Sequence, residues 1–511
     1  MNCRCKTMIR LTTGAEQRIA DTRAVEESGI TSLSLMERAA RALAAAAIET
    51  ASDKSAVVFC GNGNNGGDGL AAALILLKAG FKVLVLLMSA PDKMTGDCAE
   101  MYGRYISAGG EAVPYEAGDI RQKKAVMECG VIIDAMLGTG LKRPLSGLFS
   151  EAAELINASA TSAIACDIAS GVDSDTGAVA GVAVKADKTV TFAAYKIGQF
   201  VEPGCVYSGE VTVADIGTHI SETSPEPVYI ITSAAIKGII PKRAKISHKG
   251  DYGKVLIAGG SIGYSGAPVL SAEAAVRSGS GLVSLGVPRD IYIPTAVKCV
   301  EAMPFPLPAD GAGRMTADAA PDLLRRLGAC DAVLIGPGLG RSDEINELVC
   351  KIIREARTTI LLDADGINAI SGNINILDAS ARPVIITPHE GEFMRLGYSA
   401  GNDRIGVSRS FACKHGCILV LKGHRTICAF PDGSAYVNTT GNPGMARGGS
   451  GDVLSGIILS LIARLPTKEA VLAAVWLHGR SGDIAADRFG EECMTPSDII
   501  ACLPEAFREI T

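Results

Sequence analysis

The sequence has no basic excess, no apolar run of membrane length and no paired spacing among most of its cysteines, and each absence closes a class of function. Lysine and arginine together number 49 against 55 acidic residues, for a net charge of −6. The positive footprint that a nucleic-acid partner requires is therefore missing. The longest apolar runs, such as VLVLLM at 83–88, are strand-sized and far short of the ~20 residues that span a bilayer. The opening MNCRCKTMIR lacks the apolar core of a secretory signal, so the 15 scattered cysteines read as reduced thiols in a cytosolic protein. Cys3 and Cys5 make two metal ligands without a second pair, which is too few for a zinc-type site.

What is present is an ordinary globular balance, 48% hydrophobic and 20% charged over 511 residues, too long for one core at roughly 100–200 residues per domain. Two domains are expected. Residues 14–50 are alanine-rich and periodic and read as packing helix, with Ser34 as its N-cap and Glu37 as the one member placed to face a site. The strand AVVFC at 56–60 then meets GNGNNGGDG at 61–69, followed by an apolar helix from residue 70. Strand, glycine loop, helix is a phosphate-binding arrangement. The GxGxxG spacing alone is weak evidence, whereas three asparagines and an aspartate among the glycines supply oxygens for a hard cation or a ribose. Further strands at 83–88, 131–133, 163–166 and 189–192 lead into loops that carry Asp134, Asp167 and Lys196. In parallel α/β sheets ligands collect at such strand ends.

These residues resemble a family. GNGNNGGDG, DAMLGTG, CDIASGVDSDTG and TFAAYKIG are similar to the epimerase domain of the NAD(P)H-hydrate repair enzymes, which interconverts the R and S hydrates of damaged NADH and NADPH. The resemblance implies a Rossmann-like α/β domain with a bound potassium ion. It assigns Asn64, Asn65, Gly66, Gly67 and Asp68 to the hydrate, and Asn65, Asp134 and Ser170 to potassium. Gly138, Thr139, Gly140, Leu141, Lys142, Arg143 and Pro144 would cradle phosphate, with Asp167 facing the reacting ring as the catalytic group. Lys196 is open between partner of Asp167 and phosphate contact. Where the family often has proline after its Asp-Ile pair, this chain has Ala169.

Periodicity stops at GTHISETSPEP, 217–227, which places the domain boundary near 224. A second strand, glycine loop, helix unit follows at KVLIAG, 254–259. Strands at 332–335, 359–362, 383–386 and 418–421 end in GPGLG, DADGIN, TPHEGEF and KGHRT, an alternation that predicts a parallel sheet with helices on both faces. Asp363 and Asp365 read either as turn residues or as an aid in positioning a hydroxyl or magnesium. The segment GNPGMARGGSGDVLSG, 441–456, carries glycines into an apolar helix expected from 453, with Asp452 at the junction. Helix-start N–H groups bind anions, so Asp452 reads as a base or hydroxyl-orienting group beside a phosphate.

This half is similar to the ribokinase-like superfamily, and more closely to its NAD(P)H-hydrate dehydratase branch. The resemblance implies that Ala267, Gly338, His389 and Asp452 contact the hydrate, with Asp452 catalytic. Lys422, Gly423, His424, Arg425, Thr426 and Gly451 would bind the nucleotide, ADP with ATP as the alternative, accompanied by Mg2+. The expected partners are NAD(P)H hydrates and ADP, without nucleic acid or membrane, and the expected assembly is a homo-oligomer. Two rival readings are a vitamin or sugar kinase with an accessory nucleotide-binding domain, and a first domain that only senses ligands or acts as a scaffold.

Overall fold

The computed structural model describes residues 8–141, 143–220, 224 and 226–511, with Ser28 described by its backbone alone. Cys3, Cys5 and Lys142 lie outside the described residues, as do 221–223 and 225 beside the expected boundary. The chain forms two compact units. One is Arg10–Pro225 with Asn402–Arg404; the other comprises Glu226–Gly401 and Ile405–Thr511, joined by Met8 and Ile9.

The first unit holds a 7-stranded sheet in the spatial order Glu111–Pro114, Lys82–Leu87, Ser55–Cys60, Val131–Ala135, Ala163–Cys166, Lys188–Phe192, Glu210–Ala214. Every pairing is parallel. Side chains alternate across it. Val58, Cys60 and Ile133 join Leu43, Ala72 and Met101 in one core, while Val57, Phe59 and Ile132 join Val126, Ala152 and Ile156 in another. Strand order reverses between Ser55–Cys60 and Val131–Ala135, which opens the crevice where ligands bind in such sheets.

Local chemistry corrects the expected boundaries. Residues 14–50 form two helices, Gly14–Ser28 and Ser32–Thr50, because Gly29 takes the left-handed conformation (φ 66°) that ends the first. The N-cap of the second is Thr31, whose hydroxyl accepts from the Ser34 N–H at 3.1 Å; Ser34 is thus inside the helix. The glycine loop is also shorter than its composition suggests, since helix Asn64–Lys78 begins within it. The reason is close approach. A Cβ on Gly61 would sit 2.0 Å from the Met136 carbonyl oxygen, and one on Gly66 would sit 2.0 Å from that of Gly61. The strands Glu111–Pro114 and Glu210–Ala214, partly exposed at the sheet edges, carry no long apolar run and were not predicted.

The second unit holds ten strands of an 11-stranded sheet, ordered Val228–Ile231, Ala435–Asn438, Ile427–Ala429, Ile418–Leu421, Ile385–Ile386, Thr359–Leu362, Ala332–Ile335, Lys254–Ala258, Leu282–Pro288, Met303–Leu307. It is mixed rather than parallel. Ile427–Ala429 runs antiparallel to both neighbours, because the short KGHRT connection can close a hairpin and cannot make a crossover. Helices Gly266–Arg277, Ser450–Ile462, Thr467–Phe489 and Pro496–Ile510 cover one face through Ala272, Ile457, Leu477 and Leu503. The order reverses between Ala332–Ile335 and Lys254–Ala258, giving a second crevice.

Gly66→Ala is expected to lose about 1–3 kcal/mol, the usual cost of overpacking. Gly63→Ala, with nothing within 4 Å of the added carbon, should stay within about 0.5 kcal/mol. Urea denaturation of both variants checks the pair.

Candidate active sites

In the first unit three strand ends meet at the crevice. Asp167 follows Ala163–Cys166 with φ 66°, a conformation that side chains other than glycine rarely adopt. The fold compels it by bonding every part of the residue. The Asp167 amide donates to the Val190 carbonyl at 2.9 Å, and Gln199 Nε2 donates to the Asp167 carbonyl at 2.7 Å. Its Oδ1 accepts from the Phe192 amide and the Thr191 hydroxyl, both at 3.1 Å. Lys196 completes the set. Its side chain is wholly buried, and its ammonium donates to Asp167 Oδ1, to Thr191 Oγ1 at 2.7 Å and to the Phe192 carbonyl at 3.0 Å. Of the two roles open to Lys196, the geometry selects partner of Asp167.

Asp134 ends its strand fully buried. It accepts from the Ser170 hydroxyl at 2.7 Å, the Ser170 amide at 2.8 Å and the Met136 amide at 3.2 Å. Burial pushes its carboxyl up to about 6, against those hydrogen bonds. Asn65 approaches the same turn. Its Oδ1 lies 3.3 Å from where a Cβ on Gly138 would be, and its Nδ2 is buried without a partner. The Asn65, Asp134 and Ser170 side chains thus gather around 136–138, and the orphaned carboxamide suits a cation held by its oxygen once the group is turned over.

Asn64 is exposed at the helix start, Gly66 and Gly67 are packed, and Asp68 is buried one turn in. Burial first, then the charges of Asp167, Asp21 and Asp97, push the Asp68 carboxyl well above the usual range, with Lys196 opposing. The loop of Gly138, Thr139, Gly140, Leu141, Arg143 and Pro144 runs from half-buried to exposed, and Thr139 abuts Gly14 at the start of Gly14–Ser28. Asp21 on that helix was missed, since alanine-rich periodicity reads as packing. Glu37 does not join this group; it pairs with Arg104 at 3.0 Å.

In the second unit the helix Ser450–Ile462 starts earlier than expected, so Gly451 and Asp452 lie in its first turn. Gly449 (φ 100°) turns the chain into it. Among the described residues the Gly451 and Asp452 amides donate to no protein acceptor, which leaves them for an anion. Lys422 lies beneath, its Nζ 3.2 Å from where a Cβ on Gly451 would be. That ammonium bonds Asp363 Oδ1 at 2.7 Å and lies 3.8 Å from Glu392; the nearby acids raise it above the usual lysine range, although burial opposes them. Asp452 is pushed up to about 7, first by burial and then by the charge of Asp363, with Lys422 opposing and Glu392 and Asp365 adding.

The remaining expected contacts surround this point. Gly338 (φ 65°) and Ala267, at the start of Gly266–Arg277, are neighbours: a Cβ on Gly338 would lie 3.4 Å from that of Ala267. His389 caps Glu390–Arg395, its Nδ1 accepting from the Gly391 amide at 3.0 Å, and its ring is half-exposed. Gly423 and Thr426 close the hairpin through a 3.0 Å bond, with His424 and Arg425 (φ 60°) at its tip. Asp365 is a turn residue, accepting from the Gly340 amide at 2.9 Å and Asn368 Nδ2 at 3.0 Å. Glu392 was not singled out from sequence, although it stands three residues from His389. Among the described residues no group of three or more His, Cys, Asp or Glu side chains is gathered for a metal ion, and no helix is long and apolar enough to cross a membrane.

Two family models match the chain: one described as YjeF-related protein N-terminus over residues 32–198, and one described as NAD(P)H-hydrate dehydratase over 255–505. A bifunctional NAD(P)H-hydrate repair enzyme Nnr from Moorella thermoacetica is 38% identical over 515 residues, covering 98% of this chain and 97% of that protein. Among solved structures, a ribokinase-like superfamily protein from Enterococcus faecalis V583 is 29% identical with a TM-score of 0.50, over 56% of this chain and 96% of that one. The second unit is therefore ribokinase-like. The ADP/ATP-dependent NAD(P)H-hydrate dehydratase from Bacillus subtilis, co-crystallized with ATP/Mg2+, is 28% identical over 55% of this chain and 98% of that one, with a TM-score of 0.47.

Lys196→Met should destabilise the protein by about 3–5 kcal/mol, because it strands the Asp167 charge in a largely buried site. The double variant with Asp167→Asn should recover a substantial part of that loss, and denaturant titration of the first unit's transition reads both.

Proposed function

The chain belongs to the family of bifunctional NAD(P)H-hydrate repair enzymes, acting as NAD(P)H-hydrate epimerase and dehydratase, and we propose that Asp167 and Asp452 are the groups on which its two reactions turn. The observation that carries this is the placement of one reactive carboxylate at each crevice, each beside a lysine. Residues 1–223 would carry the epimerase and 224–511 the dehydratase. ADP, rather than ATP, is the proposed co-substrate, and the proposed assembly is a homo-oligomer.

In the epimerase, the hydroxyl-bearing carbon lies next to the ring nitrogen of the hydrate. Inversion can therefore proceed by loss of the protonated hydroxyl as water, with electron push from the nitrogen, and re-addition of water to the other face with return of the proton. Both steps need a group that gives and takes a proton at that oxygen. Asp167, fixed by Lys196, Thr191 and Gln199, serves as that group. Asn64, Asn65, Gly66, Gly67 and Asp68 hold the ring, and 138–144 the phosphates. Potassium on Asn65, Asp134 and Ser170 supplies a fixed positive charge beside the dinucleotide. In the dehydratase, Asp452 takes the proton of the S-hydrate hydroxyl as its oxygen accepts the terminal phosphoryl group of ADP, releasing AMP. The Gly451 and Asp452 amides and Lys422 stabilise the transferring charge. The phosphate then leaves with electron push from the ring nitrogen, and loss of a proton from the adjacent carbon restores the dihydronicotinamide. Ala267, Gly338 and His389 line the hydrate, while 422–426 hold the nucleotide. Mg2+ would enter on the nucleotide phosphates, as it commonly does.

Recovery of dihydronicotinamide absorbance from purified R and S hydrates tests the assignment. The wild type should restore both with ADP. Asp167→Ala should restore S but consume R only at its spontaneous rate, and Asp452→Asn should restore neither. Accumulation of a stable phosphorylated hydrate would instead favour a kinase.

Two conditions sharpen the test. Asp452 must be ionised to accept the proton, and its carboxyl is raised to about 7, so dehydratase kcat/KM should fall about tenfold per pH unit below that point. KCl should raise the melting temperature of the epimerase transition above that in NaCl at pH 8. The difference should shrink at pH 5, where Asp134, raised to about 6, is protonated, and should vanish in Asp134→Asn.

A further inference from the structure

Asp363 is a buried carboxylate, 1% exposed, to which neither reaction above gives a role. It stands at the end of Thr359–Leu362, before Ala364, whose φ of 48° places a methyl-bearing residue in a sparsely populated conformation. Three side chains from three other segments converge on it. Thr387, after Ile385–Ile386, donates to Oδ1 at 2.9 Å. Lys422, after Ile418–Leu421, donates to Oδ1 at 2.7 Å. Ser455 donates to Oδ2 at 2.6 Å, and it lies three residues beyond Asp452 on the same helix. Among the described residues no backbone amide donates to either carboxylate oxygen, so all three of its hydrogen bonds come from side chains of other segments and none closes a turn.

We propose that Asp363 is a positioning residue of the dehydratase: by holding the Lys422 ammonium and the Ser455 hydroxyl on its two oxygens, it fixes the cation in register with the helix turn that carries Asp452 and the free amides. The proposal rests on the reading of Asp452 given above. The same helix turn is held from its other side by Ser271, whose hydroxyl donates to the Asp452 carbonyl at 2.9 Å. The close fit of Gly456, whose Cβ would lie 2.2 Å from the Ser271 carbonyl oxygen, adds to that hold. The backbone that carries Asp452 is thus held by Ser271 on one side and by Asp363 through Ser455 on the other. Misplacing a reacting group by about 1 Å costs on the order of 100-fold in rate.

Asp363 also acts through its charge. The charged and titratable groups facing Asp452 are Asp363, Lys422, Glu392 and Asp365, with His478 of the neighbouring helix 3.4 Å from the Ser450 hydroxyl. Removing the Asp363 charge while keeping its shape removes one negative neighbour and frees the ammonium to favour Asp452 as an anion. The acid limb of the dehydratase profile must then move to lower pH.

The test uses the full-length chain, with the denaturant transition of the second unit as the control for folding. Asp363→Asn is expected to lower dehydratase kcat about 100-fold. KM for hydrate and ADP should change less than about threefold, and the acid limb should shift down. Ser455→Ala, which keeps the charge and cuts one tether, is expected to lower kcat about tenfold with the limb unmoved. Wild-type kcat and an unmoved limb in Asp363→Asn overturn the proposal. If that variant does not fold, Ser455→Ala decides: wild-type kcat overturns the proposal, and a tenfold loss with an unmoved limb supports it. Asp452→Asn run in parallel separates the two readings. Activity retained there sinks the role of Asp452, whereas an inactive Asp452→Asn beside an unaffected Asp363→Asn sinks the positioning role alone.

Discussion

A lysine ammonium buried against an aspartate at the carboxyl end of a parallel strand is the interaction on which each half depends. Lys196 does this for Asp167, and Lys422 for Asp363. Neither partner is affordable alone, because an unpaired charge in a dry crevice forfeits several kcal/mol of hydration. Each lysine therefore has to arrive from a nearby strand end: Lys196 from the adjacent strand, and Lys422 from Ile418–Leu421, across the short strand Ile385–Ile386. The difference between the halves lies in what the lysine leaves over. In the first half Lys196, Thr191 and Phe192 all bond Asp167 Oδ1 and Gln199 bonds its carbonyl, so Asp167 is rigidly aimed. In the second half the ammonium bonds Asp363 and stands near Glu392, so Asp452, buried first of all and then faced by the charge of Asp363, keeps a raised proton affinity that Lys422 only partly offsets.

Glycine supplies the geometry that makes such crevices narrow. At 61 and 66 there is no space for a methyl group, so the helix Asn64–Lys78 can begin close to where the strand stops, with Asn65 in its first turn and Asp68 one turn in. At 449 the left-handed turn aims the first amides of Ser450–Ile462 into the second crevice. On the proposed reading the anion sites are made of backbone, and the acids beside them are left for proton transfer.

Legibility from sequence followed the range of the signal. The strand, loop and helix units, the acids at strand ends and the glycine run before Asp452 are written within a dozen residues each, and periodicity exposes them. Edge strands such as Glu111–Pro114 and Glu210–Ala214 escaped, since half-exposed strands carry no continuous apolar run. The helix break at Gly29 escaped as well, because alanine-rich periodicity continues on both sides of it and only the left-handed φ interrupts the chain.

By itself, then, the sequence determined that there are two α/β halves, which strand ends carry acids and lysines, and that Asp452 follows a glycine-rich loop. The tertiary structure alone decided who neutralises whom. Lys196 and Asp167 stand 29 residues apart, Lys422 and Asp363 59, and Ser455 and Asp363 92. Those partnerships follow from strands laid beside one another in the sheet, Ala163–Cys166 next to Lys188–Phe192 and Thr359–Leu362 one strand away from Ile418–Leu421, and from the helix Ser450–Ile462 that brings Ser455 to them. Proton affinity follows from burial and neighbouring charge, and both exist only once those strands are side by side.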